Sequence, residues 1–225
     1  MILLTTDTTQ HTYCAWKLDD RFPLQAMFLE TRSVVPRLDT FHPFEDLRDA
    51  YERESLLRGF SSSIGDIAES RSYESMNEDA CLSALRALAP DIVLVFGTGK
   101  LSMSVIEVAS TACLNLHGGN PEEYRGLDTH LWAVYHSDFE NLVTTLHHVD
   151  AGLDTGNIVF QSQLELEKNT RLHELRAKNT NVCLNLTLLA LDSLQSIGWL
   201  PSRKQLSRGR YYSSMPAALK EECVR

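Results

Sequence analysis

Short apolar runs alternate along this chain with longer segments whose apolar residues recur every three or four positions. Residues 1–5 form an apolar run of buried-strand length, and residues 6–9 read as a polar turn opening a helix through about Leu18. A second strand is predicted over 24–29. Cys81, Leu82, Leu85 and Leu88 share one side of a helix over 77–88, which Pro90 stops. The run 91–96 (DIVLVF) predicts a strand buried on both faces. A helix over 100–109 and a strand over 113–117 follow. Strand, helix, strand at this spacing predicts a right-handed parallel crossover. Farther on the pattern predicts a helix over 127–135 and strands over 142–149 and 157–166. A long helix over 169–197 carries Leu172, Leu175, Leu184, Leu188 and Leu191. The basic tail from Gly198, with Tyr211, Tyr212 and Pro216, yields no predicted element.

Residues 31–77 break this rhythm with prolines, glycines and many charges. Within them FEDLRDAYERESLLRGF has helical spacing, with Leu47, Tyr51, Leu56 and Leu57 sharing a side. Such an irregular insertion suits specificity or an interface. Its Arg48, Arg53 and Arg58 suit phosphate or carboxylate; a solvated face with internal ion pairs is the other reading.

Composition narrows the classes. A net charge of -9 over 225 residues argues against a nucleic-acid partner, which usually needs a basic footprint. Five widely spaced cysteines without a CxxC pair predict a reduced, cytoplasmic protein without structural zinc. Neither a signal peptide nor an apolar stretch of membrane-spanning length is expected. The turn after the first strand lacks the glycines of a dinucleotide fingerprint, so a nicotinamide enzyme is disfavoured.

The chemistry concentrates between residues 114 and 156. Asn115 and His117 alternate with Leu114 and Leu116, so both lie on one face at a strand end, before the Gly118-Gly119 turn. Thr145-x-His147 and Asp154-Thr155-Gly156 follow, each at a strand end or in a loop between predicted strands. An Asn can donate to a developing oxyanion, a His can accept a proton or stabilise that oxyanion, and an Asp can orient the imidazole. Together they suit acyl transfer without a covalent nucleophile. His147 and His148 point to opposite faces of a strand, so no metal site is expected there.

LNLHGGNPEEYRGLDTHLWA together with TTLHHVDAGLDTGNIV resembles the folate-dependent formyltransferase family, which includes glycinamide ribonucleotide, methionyl-tRNA and nucleotide-sugar N-formyltransferases. The resemblance is close over 91–161 and loose over the rest. It implies an α/β fold: a Rossmann-like open, mostly parallel twisted sheet of the formyltransferase type, with C-terminal antiparallel strands and a long helix. On this reading residues 1–166 are the catalytic core, and 167–225 are a helix and tail packing on it. The resemblance implies 10-formyltetrahydrofolate as donor and no metal. It places Asn115, His117 and Asp154 as the catalytic set. It implies a folate pocket from Gly97, Thr98, Gly99, Lys100, Leu101, Asp150 and Leu153, mostly through backbone groups. An amine would attack the formyl carbon, with Asn115 and protonated His117 stabilising a tetrahedral intermediate and Asp154 holding His117 and a water.

One departure concerns the acceptor. The family often has a Ser-Leu-Leu-Pro-type turn after the histidine, and here it is Gly118-Gly119-Asn120-Pro121. The acidic charge, and a segment after the D-x-G motif that reads mostly as one helix and a tail, count against tRNA. The absence of a glycine-rich loop after the first strand counts against glycinamide ribonucleotide. The expected acceptor is therefore the primary amine of an amino sugar, nucleotide-linked, with Tyr124, Arg125, His147 and the 31–77 segment as candidate contacts. The alternatives are a formyltetrahydrofolate hydrolase, a formyltransferase for another small amine such as glycinamide ribonucleotide, and a non-catalytic folate- or nucleotide-binding module. The resemblance also implies a homodimer.

Overall fold

The computed structural model describes every residue except Val34, Ser61, Ser62 and Arg225. Those parts of the segment expected to be irregular, and of the tail, lie outside the described residues. In chain order the strands are β1 (Ile2–Thr5), β2 (Ala26–Glu30), β3 (Ser70–Tyr73), β4 (Ile92–Val95), β5 (Ala112–His117), β6 (Tyr124–Gly126), β7 (Val143–His148), β8 (Ile158–Gln163) and β9 (Arg210–Tyr212). The helices are α1 (Thr9–Arg21), α2 (Phe44–Leu56), α3 (Asp79–Leu88), α4 (Met103–Ile106), α5 (Thr129–Tyr135), α6 (Leu175–Ile197) and α7 (Ala217–Val224).

Ile2, Leu3 and Leu4 of β1 are all fully buried, which requires cover on both faces of the sheet. The period of two sorts them. Leu3, Met27, Leu94, Leu114 and Leu116 pack with Cys14 and Leu18 of α1 and Cys183, Leu184 and Leu191 of α6. Ile2, Leu4, Phe28, Val93, Val95 and Cys113 pack with Cys81 and Leu85 of α3 and Val105 of α4. Each fully buried aliphatic side chain contributes about 1.5–3 kcal/mol. The sheet has seven strands in the order β3-β2-β1-β4-β5-β7-β8. β3 to β5 pair in parallel, and β7 and β8 add antiparallel. This is the expected α/β architecture. From β1 the chain first builds toward β2 and β3, then returns to build β4 and β5 on the other side. A crevice forms where the order reverses, outside the C-terminal strand ends.

Four expectations are corrected. The 31–77 segment is not an interruption: it supplies α2 and the edge strand β3, completing a parallel crossover. In α2 the buried residues are Phe44, Glu52 and Leu56, whereas Leu47 is 61% exposed. Arg176 of α6 reaches into this face and neutralises Glu52, which is why a carboxylate replaces a leucine there. The helix expected over 100–109 is only α4. Asn77 donates to the Lys100 carbonyl (2.9 Å) and accepts from Ser102 N–H (2.7 Å), which holds the preceding residues out of the helix. The tail is structured, since β9 pairs in parallel with β6 and α7 packs on α5. Tyr212 stacks on Tyr124 within the same chain.

Candidate active site

Leu114 and Leu116 face the α1 and α6 side, so alternation turns Asn115 and His117 to the other face as β5 ends. β7 runs antiparallel beside β5 with Asn115 opposite His147 and His117 opposite Thr145. The Asn115 amide nitrogen lies 3.1 Å from His147 Nε2. His147 Nδ1 lies 2.8 Å from the His148 carbonyl, which can only accept, so Nδ1 carries a proton. His147 Nε2 accepts from Asn115, and this turns the Asn115 amide nitrogen toward β7.

Asp154 arrives from the loop after β7 with φ 54°, in the left-handed region. Its Oδ2 accepts the Gly126 N–H at 2.8 Å. Its Oδ1 lies 3.7 Å from both His117 Nδ1 and His147 Nε2. His117 Nε2 donates to the Tyr124 carbonyl at 2.9 Å, which leaves the Nδ1 edge toward the carboxylate. Asn115, His117, His147 and Asp154 thus form one cluster from three chain segments. His117, His147 and Asp154 are each at most 8% exposed.

All four line a cavity of about 1010 Å³ in the crevice at the C-terminal strand ends. Gly97, Thr98, Gly99, Lys100, Leu101, Asp150 and Leu153 line it as well, bringing the expected folate residues beside the cluster. Gly97 has a second reason to be glycine: at φ 85° a Cβ there would stand 2.3 Å from His11 Cε1. The Gly99 N–H is already held by Glu30 Oε2 at 2.6 Å, so this turn is shaped by the protein itself. Among the described residues no group of three or more His, Cys, Asp or Glu is arranged to hold a metal. No helix among them is long and apolar enough to cross a membrane.

The family model described as formyl transferase matches residues 48–188, well over half of the chain. The chain belongs to the formyl transferase family. A methionyl-tRNA formyltransferase of Thermosynechococcus vestitus is 34% identical over 122 residues, covering 54% of this chain and only 36% of that protein. Among solved structures, a 4-N formyltransferase from Francisella tularensis superposes over 97% of this chain and 85% of its own (TM-score 0.63, 15% identity). The formyltransferase PseJ from Anoxybacillus kamchatkensis was solved with UDP-4,6-dideoxy-4-formamido-L-AltNAc and tetrahydrofolate. It covers 94% of this chain and 85% of its own (TM-score 0.54, 18% identity). At these identities the two structures speak for the shared formyl transferase fold.

Electrostatics set the resting state of the cluster. Burial lowers the His117 pKa and outweighs the opposing pull of Asp154 and of the Tyr124 carbonyl. His117 is therefore neutral at rest. Burial acts to raise the Asp154 carboxyl, but His117, His147 and the Gly126 amide hold it at about 2. The carboxylate is charged, and Nδ1 of His117 is an uncharged base 3.7 Å away.

Two candidate contacts move out of the cavity wall. Tyr124 is 6% exposed, bonds Asp138 through its hydroxyl at 2.9 Å, and lies outside the lining. Arg125 is 8% exposed and turns away to bond the Gly209 and Leu153 carbonyls. Both sit on β6, whose pairing with β9 orients them. Arg48 lines the cavity while pairing with Glu45 and Asp49, so both readings of it meet in one residue; Arg53 and Arg58 are exposed and outside the lining. Several lining residues were missed, among them Gln10, His11, Arg176 and Asn179. Arg176 and Asn179 are three apart and share a face of α6, but Lys178, Thr180 and Asn181 around them are polar too, so the sequence does not single them out.

Proposed function

We propose that this protein transfers a formyl group from 10-formyltetrahydrofolate to the primary amine of a small acceptor, an amino sugar carried on a nucleotide. The observation that carries the proposal is the cluster of Asn115, His117, His147 and Asp154 on the wall of a roomy cavity. A pocket of 300–1,000 Å³ ordinarily holds one drug-sized molecule, and this one reaches the upper end of that range at about 1010 Å³. The residues fit a folate-type donor. Val95, Leu101 and Val149 offer apolar surface, and the turns at 97–99 and 150–153 offer backbone edges beside it. When bound, the donor supplies an electrophilic formyl carbon.

The chain's own groups do the rest. The Asn115 amide has two N–H bonds, and His147 takes one, so the second is free for an oxygen that gains negative charge. Neutral His117 accepts the proton of the attacking amine at Nδ1, and Asp154 stabilises the imidazolium that results. The amine would add to the formyl carbon before the bond to the donor nitrogen breaks, and His117 would then return the proton to that departing nitrogen.

The cavity lining supports a small acceptor. It mixes Asp7, Glu30, Asp128 and Asp150 with Arg32, Arg48, Lys100 and Arg176, which is not the basic footprint of a tRNA site. The formamido sugar nucleotide bound in the PseJ structure is a precedent for the acceptor class. The test is a formyl-transfer assay against a panel of nucleotide-linked amino sugars, glycinamide ribonucleotide and methionyl-tRNA. Turnover confined to an amino sugar is expected. Turnover with methionyl-tRNA alone would overturn the acceptor assignment.

A further inference from the structure

Asp154 holds a conformation that a residue with a Cβ ordinarily avoids, and two distant side chains pin the peptide planes on either side of it. The carbonyl of Leu153, in the plane that sets φ of Asp154, accepts from Arg125 Nη1 at 3.0 Å. The carbonyl of Asp154, in the plane that sets its ψ, accepts from Gln205 Nε2 at 2.9 Å. The same Gln205 nitrogen also lies 2.9 Å from the Gly156 carbonyl. From these contacts we infer that Gln205, in the C-terminal tail, and Arg125, on β6, are positioning residues that lock the Asp154 loop and so place its carboxylate between His117 and His147.

The geometry explains why both are needed. A flip of either peptide would release the left-handed backbone of Asp154 and swing its side chain off the Gly126 N–H. The tail carrying Gln205 is itself anchored. Arg203 forms a two-point bridge to Glu122 (2.8 Å each), Leu206 N–H bonds Glu122 Oε1, and Arg125 Nε bonds the Gly209 carbonyl. Arg125 therefore ties the loop and the tail together from a buried position, and its charge is spent on carbonyls rather than on a ligand.

The inference rests on the proposed role of Asp154, so its test needs a readout that does not depend on turnover. Gln205→Met keeps the length and removes the donors; Gln205→Glu sets a carboxylate against two carbonyl oxygens. Two measurements are made on each, with Asp154→Asn as reference. One is steady-state formyl transfer. The other is the NMR-detected protonation midpoint of His117, which faces Asp154, His147 and Arg125. In the ligand-free protein, Gln205→Met is expected to move the His117 midpoint downward, as Asp154→Asn does, because the carboxylate has left. It is expected to lower kcat at least tenfold while KM for either substrate changes less than threefold, and Gln205→Glu is expected to be the more severe. An unchanged midpoint in a folded Gln205→Met protein overturns the inference, whatever the activity. If the wild type transfers no formyl group while the midpoint still moves, the functional reading fails and the positioning role stands.

Discussion

The ion pair between Glu52 and Arg176 gives a prediction with a definite size. Glu52 is fully buried on α2, and both its oxygens accept from Arg176 of α6, at 2.5 and 2.6 Å. A third contact runs from Arg176 to Asp49 at 2.8 Å. Removing one partner of a buried pair costs about 3–5 kcal/mol, because the other is left charged and desolvated. Arg176→Leu strands Glu52 with no cation and should fall at the upper end. Glu52→Leu leaves Arg176 with the half-exposed Asp49 and should cost about 3 kcal/mol. Replacing both partners with leucine removes both charges and both desolvation costs, so the double variant should lie within about 1 kcal/mol of the wild type. The assay is urea unfolding followed by circular dichroism, arranged as a double-mutant cycle. In a protein of this size the single variants should also melt about 10 °C lower. If the double variant loses the sum of the two singles, the pair is not coupled and the account of the α2–α6 contact is refuted.

Three further predictions are smaller. Asn115→Ala should lower kcat about a hundredfold, or about 2.7 kcal/mol of transition-state stabilisation, with KM little changed; an effect on KM alone would remove it as an oxyanion donor. Gly119→Ala would place a Cβ 2.8 Å from His117 Nε2 and 2.9 Å from Thr129 Oγ1, so turnover should drop at least tenfold in a protein that still folds. Stability should fall as the pH drops below about 6.5, because burial holds His11 at about 3 and His130 at about 4 and also lowers His117, while the unfolded chain takes up those protons. That stabilisation is fully present above the unfolded pKa. His11 and His130 should each contribute a slope of about 1 kcal/mol per pH unit, and His11→Asn should flatten the curve in urea titrations run from pH 7.5 to 4.5.

What could be read from the chain was whatever burial writes into it. β1, β4 and β5 are covered on both faces, so they appear as apolar runs, and their order along the chain implied a parallel sheet. β3 is a polar edge strand with one neighbour, and β6 and β9 are three residues each, held by backbone pairing that leaves no periodicity. The cluster was legible because Asn115 and His117 share a strand face, and because the spacing of His147 and Asp154 follows a family pattern. Arg125 was misread because it follows His117 closely in sequence, whereas the direction of its side chain is set by a tail some 80 residues on. The neutral state of His117 likewise depends on burial among groups from β6, β7 and the Asp154 loop. Gln205 and Arg176 carry no local signal of the carbonyls and carboxylates they serve.

The most direct test of the account is release of tetrahydrofolate from 10-formyltetrahydrofolate, followed with and without an amino-sugar acceptor, in the wild type and in His117→Ala. The account predicts release that requires the amine and that His117→Ala abolishes, while folate still binds. Release at the same rate without any amine, or amine-dependent release that survives in His117→Ala, would contradict it.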